Sequence, residues 1–344
     1  MAFLKIKQNI KVLGVILFLI LLFAVAIFYI FSPGIMLLKI GENEKTVEFE
    51  SARITGWDKG EKSFELYSKR GWATVGGNIT YFEEVAEGKI FEKGKIIAKN
   101  IEAPEVKTFK HSEAIEAYAG GEKKIRLEIN LQKEGSSERE ARWARISAKE
   151  LKYVPSEKKV TLAGDLILKR DDMRIIGDRL VSSSPYDVFF IEGNVSVSLP
   201  GKVAFSDSAE FSKKDEALTL RGKSKLILEK GKSLIKEEDM KQMKNPETKI
   251  ALEEKTVIEC NELKLFTKNS DSLSQGGVIV TQKDKSAKAD QAEYLDQEKN
   301  IILTGNVFMN KEGEWIKTKK IIVSIKDETF EAFGGVETEF KLKK

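Results

Sequence analysis

The side chains that carry most enzymatic chemistry are scarce in this sequence of 344 residues, which has one histidine, His111, and one cysteine, Cys260. Those counts exclude Cys/His zinc clusters, an intramolecular disulfide and any triad that needs a second histidine. His111 lies in a polar stretch and reads as solvent-facing. Cys260 stands on the apolar face of an alternating segment and reads as a small core residue. Gly222-Lys223-Ser224 and Gly231-Lys232-Ser233 end like phosphate loops, but Ala217 and Leu226 stand where the earlier glycine belongs. Asp171-Asp172 and Glu237-Glu238-Asp239 lack the ligand spacing of a hard-cation site and read as surface. No pair among the 54 acidic residues stands out as a general acid and its partner. The 58 basic residues nearly balance them, which does not predict nucleic-acid binding. No catalytic residue, metal or cofactor is assigned, and the chain is not expected to be an enzyme.

What recurs at fixed spacing is apolar. Five stretches repeat apolar residues at alternate positions on both sides of a glycine. They centre on Val160, Leu162, Gly164, Leu166 and Leu168; on Phe189, Ile191, Gly193, Val195 and Val197; on Leu218, Leu220, Gly222, Ser224 and Leu226; on Ile301, Leu303, Gly305, Val307 and Met309; and on Phe330, Ala332, Gly334, Val336 and Thr338. A weaker copy surrounds Gly276. Four of the five gaps between these glycines are 29 residues and the fifth is 54, which marks a repeat architecture with one degenerate unit. The chemistry such a surface offers is the removal of acyl chains from water. The candidate lining is Leu162, Leu166, Phe189, Ile191, Val195, Val197, Leu218, Leu220, Ile301, Leu303, Val307 and Met309. Arg174, Lys202, Lys285 and Lys288, close to turns, are candidates to meet lipid phosphates at a rim.

The elements that must position these side chains are strands. Alternation over about nine residues gives a strand with one buried face, and breaks such as Pro155 to Lys158 and Lys213 to Glu216 are turns. A second strand lies upstream in each unit, with apolar residues thirteen and eighteen positions before the glycine (Leu180 and Ile175 before Gly193, for example). In this alternation the glycine falls on the buried side, where a bulge-like kink would let the sheet curl. Phe205 points outward if Ala204 and Ser206 face in. No helix or Leu/Asn ladder of a leucine-rich repeat is visible, so two facing antiparallel sheets are expected. The earlier segments at Val47–Ile54, Phe64–Ser68 and Ile125–Leu131 alternate too. The charged stretch 232–254 reads as an insertion at the missing repeat, with a short helix near Leu234–Met243.

Val12–Phe31 carries no charge and follows Lys5, Lys7 and Lys11. A helix of ~20 residues spans a bilayer core, and the basic flank keeps the N-terminus cytoplasmic. Ala24-Val25-Ala26 imitates a cleavage site, but the apolar run continues to Phe31, so an uncleaved anchor is expected.

With Ile191-Glu192-Gly193-Asn194-Val195 and Leu303-Thr304-Gly305-Asn306-Val307, and the Ala/Ser-Asp-x-Ala-x-aromatic strands Ser206–Phe211 and Ala289–Tyr294, the chain resembles the OstA-like proteins of lipopolysaccharide transport, the LptA/LptC family. Residues 40–140, with Ile54-Thr55-Gly56 and Lys62 to Leu66, resemble the LptC member, and 141–344 resemble the LptA type. The resemblance implies an all-β jellyroll or trough, elongated, open along one side and preceded by the anchor helix. It implies lipopolysaccharide or a similar multi-acyl lipid as cargo, inner-membrane ABC-transporter components as partners, and an LptA-like bridge protein docked by edge-strand pairing on the last strand, Val336–Leu342. The expected organisation is a cytoplasmic tail at 1–11, an anchor at 12–31 and a periplasmic β-region held at the inner membrane. A structural scaffold of the cell envelope that binds proteins and no lipid is the alternative. The extra repeats and the charged insertion depart from the LptC pattern.

Overall fold

Strands that alternate in sequence pair in sequence order in this protein. A computed structural model describes residues 45–131, 143–183, 185–229 and 253–340, with isolated positions between 244 and 249. The anchor at 12–31 and the helix expected near Leu234–Met243 lie outside the described residues. Among the described residues no helix is long and apolar enough to cross a membrane.

Twenty antiparallel strands form one sheet among the described residues. The first four are long: β1 (Lys45–Asp58), β2 (Glu61–Thr74), β3 (Ile79–Glu92) and β4 (Lys95–Phe109). Four short strands follow: β5 (Ile115–Tyr118), β6 (Ile125–Asn130), β7 (Trp143–Ala148) and β8 (Glu150–Val154). Next come β9 (Lys159–Arg170), β10 (Met173–Ser183), β11 (Val188–Leu199), β12 (Lys202–Ser212) and β13 (Ala217–Leu228). After the insertion lie β14 (Thr256–Phe266), β15 (Ser272–Gln282), β16 (Lys285–Leu295), β17 (Asn300–Lys311), β18 (Glu314–Ser324), β19 (Thr329–Phe333) and β20 (Glu337–Glu339).

The join between the irregular and the repetitive parts is hydrogen-bonded. β4 pairs with both β5 and β6, these pair with β8 and β7 respectively, and β7 and β8 both pair with β9. One apolar cluster runs from Phe64 in β2 to Ile321 in β18. Continuous pairing and a continuous core therefore cross residues 140–141.

The two facing sheets expected from the alternation are two halves of one sheet, because every repeat strand bends in its middle. In β17 the backbone takes two successive left-handed residues, Gly305 at φ 79° and Asn306 at φ 47°. Pairing with β16 skips from Lys288↔Phe308 to Gln291↔Thr304, which leaves one extra residue on β17. This is a β-bulge, and it turns the strand through a corner. The same pair of positive φ angles recurs at 164–165, 193–194, 222–223, 276–277 and 334–335. Glycine takes the first of these positions without steric cost, and Asn and Asp tolerate the second better than most residues.

The corner corrects the expectation that the glycine faces the core. A Cβ on Gly305 would lie 2.3 Å from Asp290 Oδ2, and one on Gly193 would lie 2.2 Å from Asp178 Oδ2. The glycine thus lies under the side chain fifteen residues earlier, on the adjacent strand. The residue after the glycine bonds to that side chain: Asn194 Nδ2 donates to Asp178 at 3.0 Å, Asn306 Nδ2 donates to Asp290 at 2.8 Å, and Lys149 pairs with Asp165 at 3.1 Å. The inner side of the bend, sixteen residues before the glycine, holds only small residues: Ala148, Gly177, Ser206, Cys260, Ala289 and Thr318. Cys260 is buried there as expected. Phe205 faces outward between buried Ala204 and Ser206, and His111 is exposed.

The N-terminal strands carry their own polar anchor. Buried Glu65 accepts hydrogen bonds from Lys62 and, at 2.6 Å, from the Tyr67 hydroxyl, and it pairs with Arg53 at 2.5 Å. The Lys62 and Tyr67 hydrogen bonds, aided by the charges of Lys62 and Arg53, outweigh burial and lower its pKa from 4.5 to about 2.

Two outcomes follow. Gly305→Ala, forced to a positive φ against Asp290, should destabilise the fold by about 1–3 kcal/mol in urea titrations, whereas Asn306→Gly should cost much less. Because folding lowers the Glu65 pKa, its stabilisation is complete above pH 4.5 and fades as pH falls toward about 2. Glu65→Gln should therefore be less stable than the natural chain at neutral pH, with the gap between their urea midpoints narrowing across that window.

Candidate functional site

A sheet folded along its corners has two rims. The first holds the β9–β10, β11–β12, β15–β16 and β17–β18 turns and the β13–β14 connection. The second holds the β10–β11, β12–β13, β14–β15, β16–β17 and β18–β19 turns. Between the rims lies a cavity of about 1060 Å³, lined from both sides by residues of β9 to β19 and by Phe340, which follows β20. That is at the upper end of ~300–1,000 Å³ for small-molecule pockets. The rims meet with a stagger: Lys202 at the start of β12 lies over the ring of Tyr294 near the end of β16, 5.9 Å from its centroid.

Depth below the rims decides which apolar side chains reach this space. Of the candidate lining, Val197, Leu218, Ile301, Leu303 and Met309 line the cavity. The other seven do not. Leu162, Leu166, Phe189, Ile191, Val195, Leu220 and Val307 are buried in the closed core. Six of those seven sit two residues from the corner glycine, at the bottom of the fold where the two halves of each strand converge. Positions four or more residues from it stand higher, which is why Leu226, Leu199, Leu228 and Val280 line the cavity as well. Distance from the glycine was the signal in the sequence for most of them; the exceptions are Leu303, two residues from Gly305 yet lining the cavity, and Phe189, four residues from Gly193 yet in the closed core.

The cover over the apolar face thins along the chain. At β9 to β13 the positions four residues from the corner glycine are still buried, with Leu168, Val197 and Leu218 at 3%, 1% and 0% exposure. By β17 Ile301 and Met309 are only half-buried, and at the last strands Phe330 and Phe340 are exposed at 44% and 63% while still lining the cavity. The last strand differs from the expected Val336–Leu342. Gly334-Gly335 bends it, both β19 and β20 pair with β18, and β20 ends at Glu339.

The four rim cations divide. Lys202 and Lys285 line the cavity, whereas Arg174 and Lys288 are exposed on the outer face, because each alternates with an inward neighbour, Ile175 and Ala287. Burial lowers the Lys202 pKa, opposed by the charge of Asp296. On the opposite rim Asp296 is buried enough to be pushed upward, yet hydrogen bonds from Lys299 at 2.9 Å and the Tyr294 hydroxyl at 3.0 Å leave its pKa lowered. Asp171 and Asp172 form the exposed β9–β10 turn, and among the described residues no group of three or more His, Cys, Asp or Glu side chains could hold a metal ion.

A folded β-sheet with an apolar cavity between its rims defines a trough-forming β-protein. Residues 145–329, more than half of the chain, match the family described as LptA/(LptD N-terminal domain) LPS transport protein, and the chain belongs to that family. The matched stretch begins in β7 and ends at the start of β19, so it coincides with the bent strands. Among solved structures, LptH, the LptA-homologous periplasmic component of the lipopolysaccharide transport device from Pseudomonas aeruginosa, is 15% identical. The likeness covers 41% of this chain and 95% of that one, with a TM-score of 0.31. A search of curated proteins found no match.

Inward alanines at different depths supply a check. Ala292 lines the cavity, whereas Ala144 is fully enclosed. Ala292→Phe should lower binding of a neutral apolar fluorophore severalfold with little change in unfolding midpoint. Ala144→Phe should destabilise the fold by about 1–3 kcal/mol through overpacking.

Proposed function

We propose that this member of the lipopolysaccharide-transport family is a non-catalytic conduit, held at the inner membrane by residues 12–31, that carries lipopolysaccharide or a similar multi-acyl lipid along its apolar trough. The observation that carries the reading is the cavity of about 1060 Å³ between the rims, continuous with one core that runs from β2 to β18. Each methylene moved from water into such a space contributes about 0.8 kcal/mol. Several acyl chains are then held firmly without any single strong contact. Apolar contact has no register, so a held lipid can slide.

The bent strands β7 to β18 play the LptA-like part. The long strands β1 to β4 are the LptC-like part, nearer the anchor and the ABC-transporter components of the inner membrane. The C-terminal end is the docking edge for an LptA-like bridge protein. Its support is the short β20 and the exposed Phe330, Phe333, Val336 and Phe340, an apolar end that an added strand would cover.

In-cell photo-crosslinking tests the reading. A benzoyl-phenylalanine at Met309 or Ile301 should capture lipid, and the same group at Ile191, which is sealed in the core, should not. Protein adducts alone at Met309, from a folded chain, would favour a scaffold over a conduit.

A further inference from the structure

At the mouth of the cavity stands a half-buried cation, Lys202, with no hydrogen-bond acceptor among the described residues. Lys202 opens β12 on the first rim and lines the cavity. Across the mouth its Nζ meets the face of the Tyr294 ring at 5.9 Å. Among the described residues its ammonium makes no hydrogen bond or ion pair; only the more distant charges of Asp296 and Lys299 act on it.

The groups facing it are already engaged with one another. Lys299 and the Tyr294 hydroxyl both donate to Asp296, and the Asp296 backbone N–H donates to Asp271 at 2.8 Å. The other basic side chains that line the cavity differ. Arg170 pairs with Asp171 at 3.4 Å, and Lys311 is exposed. Lys285 begins β16, four strands from β12, or about 19 Å at ~4.8 Å per strand, too far to share one small anion with Lys202.

A half-buried ammonium without an acceptor has lost part of its hydration, and a bound anion offsets that loss. An amphiphile whose chains fill the cavity must leave its headgroup at the mouth, where Lys202 stands. A phosphomonoester suits the position because it offers up to two charges and three acceptor oxygens to an ammonium with three donors.

We infer that Lys202 forms a phosphate-binding subsite at the cavity mouth, which takes a phosphomonoester of the lipid whose acyl chains occupy the trough. The inference rests on the conduit reading above and goes beyond it by assigning headgroup recognition to one residue.

The test uses the full chain and two probes: lipopolysaccharide, and the same preparation stripped of phosphomonoesters by phosphatase. Capture at a Met309 crosslinker is titrated for each. The natural chain should prefer the phosphorylated lipid by about ten- to hundredfold, the range of a charge-assisted hydrogen bond. Lys202→Met should reduce the preference to near unity while leaving capture of the stripped lipid within twofold. Lys202→Arg should restore most of the preference. Millimolar inorganic phosphate should not displace the phosphorylated lipid, whose chains anchor it. Equal capture of both lipids by the natural chain, or an undiminished preference in Lys202→Met, would overturn the subsite. Inorganic phosphate bound at Lys202 without lipid, together with no preference between lipids, would overturn the lipid-borne assignment. Failure to capture either lipid would instead sink the conduit reading.

Discussion

Each repeat strand has to turn a corner within its own length, and the rest of the molecule follows from how it does so. Two successive residues at positive φ, such as Gly305 and Asn306, insert one extra residue and bend the strand. Side-chain parity survives the bend: Leu303 before it and Val307 after it are both buried. One strand thereby contributes to both walls of the trough. A row of such corners lets a sheet that never closes into a barrel enclose an apolar interior. The corner also explains residues whose roles are not apparent singly. The carboxylates of Asp178 and Asp290 cover the glycines and accept the asparagine amides, so the outer surface of the bend is sealed by polar groups. Small residues from Ala148 to Thr318 leave room on the inside.

Depth below the rims then separates stability from function. At the corner the two halves of a strand are close, and side chains such as Leu166 and Val307 are left with no exposed area. Toward the rims the halves diverge, and the same kinds of side chain line a cavity. A fold closed along its whole length would be more stable, because exposed apolar surface contributes nothing. The half-buried Ile301 and Met309 and the exposed Phe330 and Phe340 mark the part of the face whose cover is missing. Apolar surface of that extent, continuous with the core, is where a soluble fold meets a lipid or another chain.

Much of this was legible in the residues. The 29-residue spacing of glycines, the inward and outward assignment of Ala204, Phe205 and Ser206, and the kink at each glycine all follow from period-2 alternation and backbone sterics. Alternation reports the side of a strand and not the depth, so Leu162 and Met309 read alike although one is sealed and the other faces the cavity. It also placed the glycine inward, because alternation counted straight through the kink assigns the residues of the bulge to the wrong side. The partnership of Asp290 with Asn306 was missed for a similar reason: both words were visible, but only the register of neighbouring strands brings residues sixteen apart together. Rim cations were separable only through their strand parity, which sends Arg174 and Lys288 outward.

The stagger between the rims joins these observations into one mechanism. Because the β11–β12 turn lies opposite the β16–β17 turn, a lipid held between the rims as proposed would touch strands that are four apart in the sheet. No single repeat forms a site, and the cavity exists only where several bent strands are stacked. Successive sites along the trough must then overlap, sharing walls as the strands advance by ~4.8 Å. Overlapping apolar sites present a nearly level energy surface along the sheet, with polar groups at the rims as its main corrugation. Lys202 is one such feature: in the proposed subsite it would hold a headgroup, while the interior beneath it would offer the chains no reason to stop.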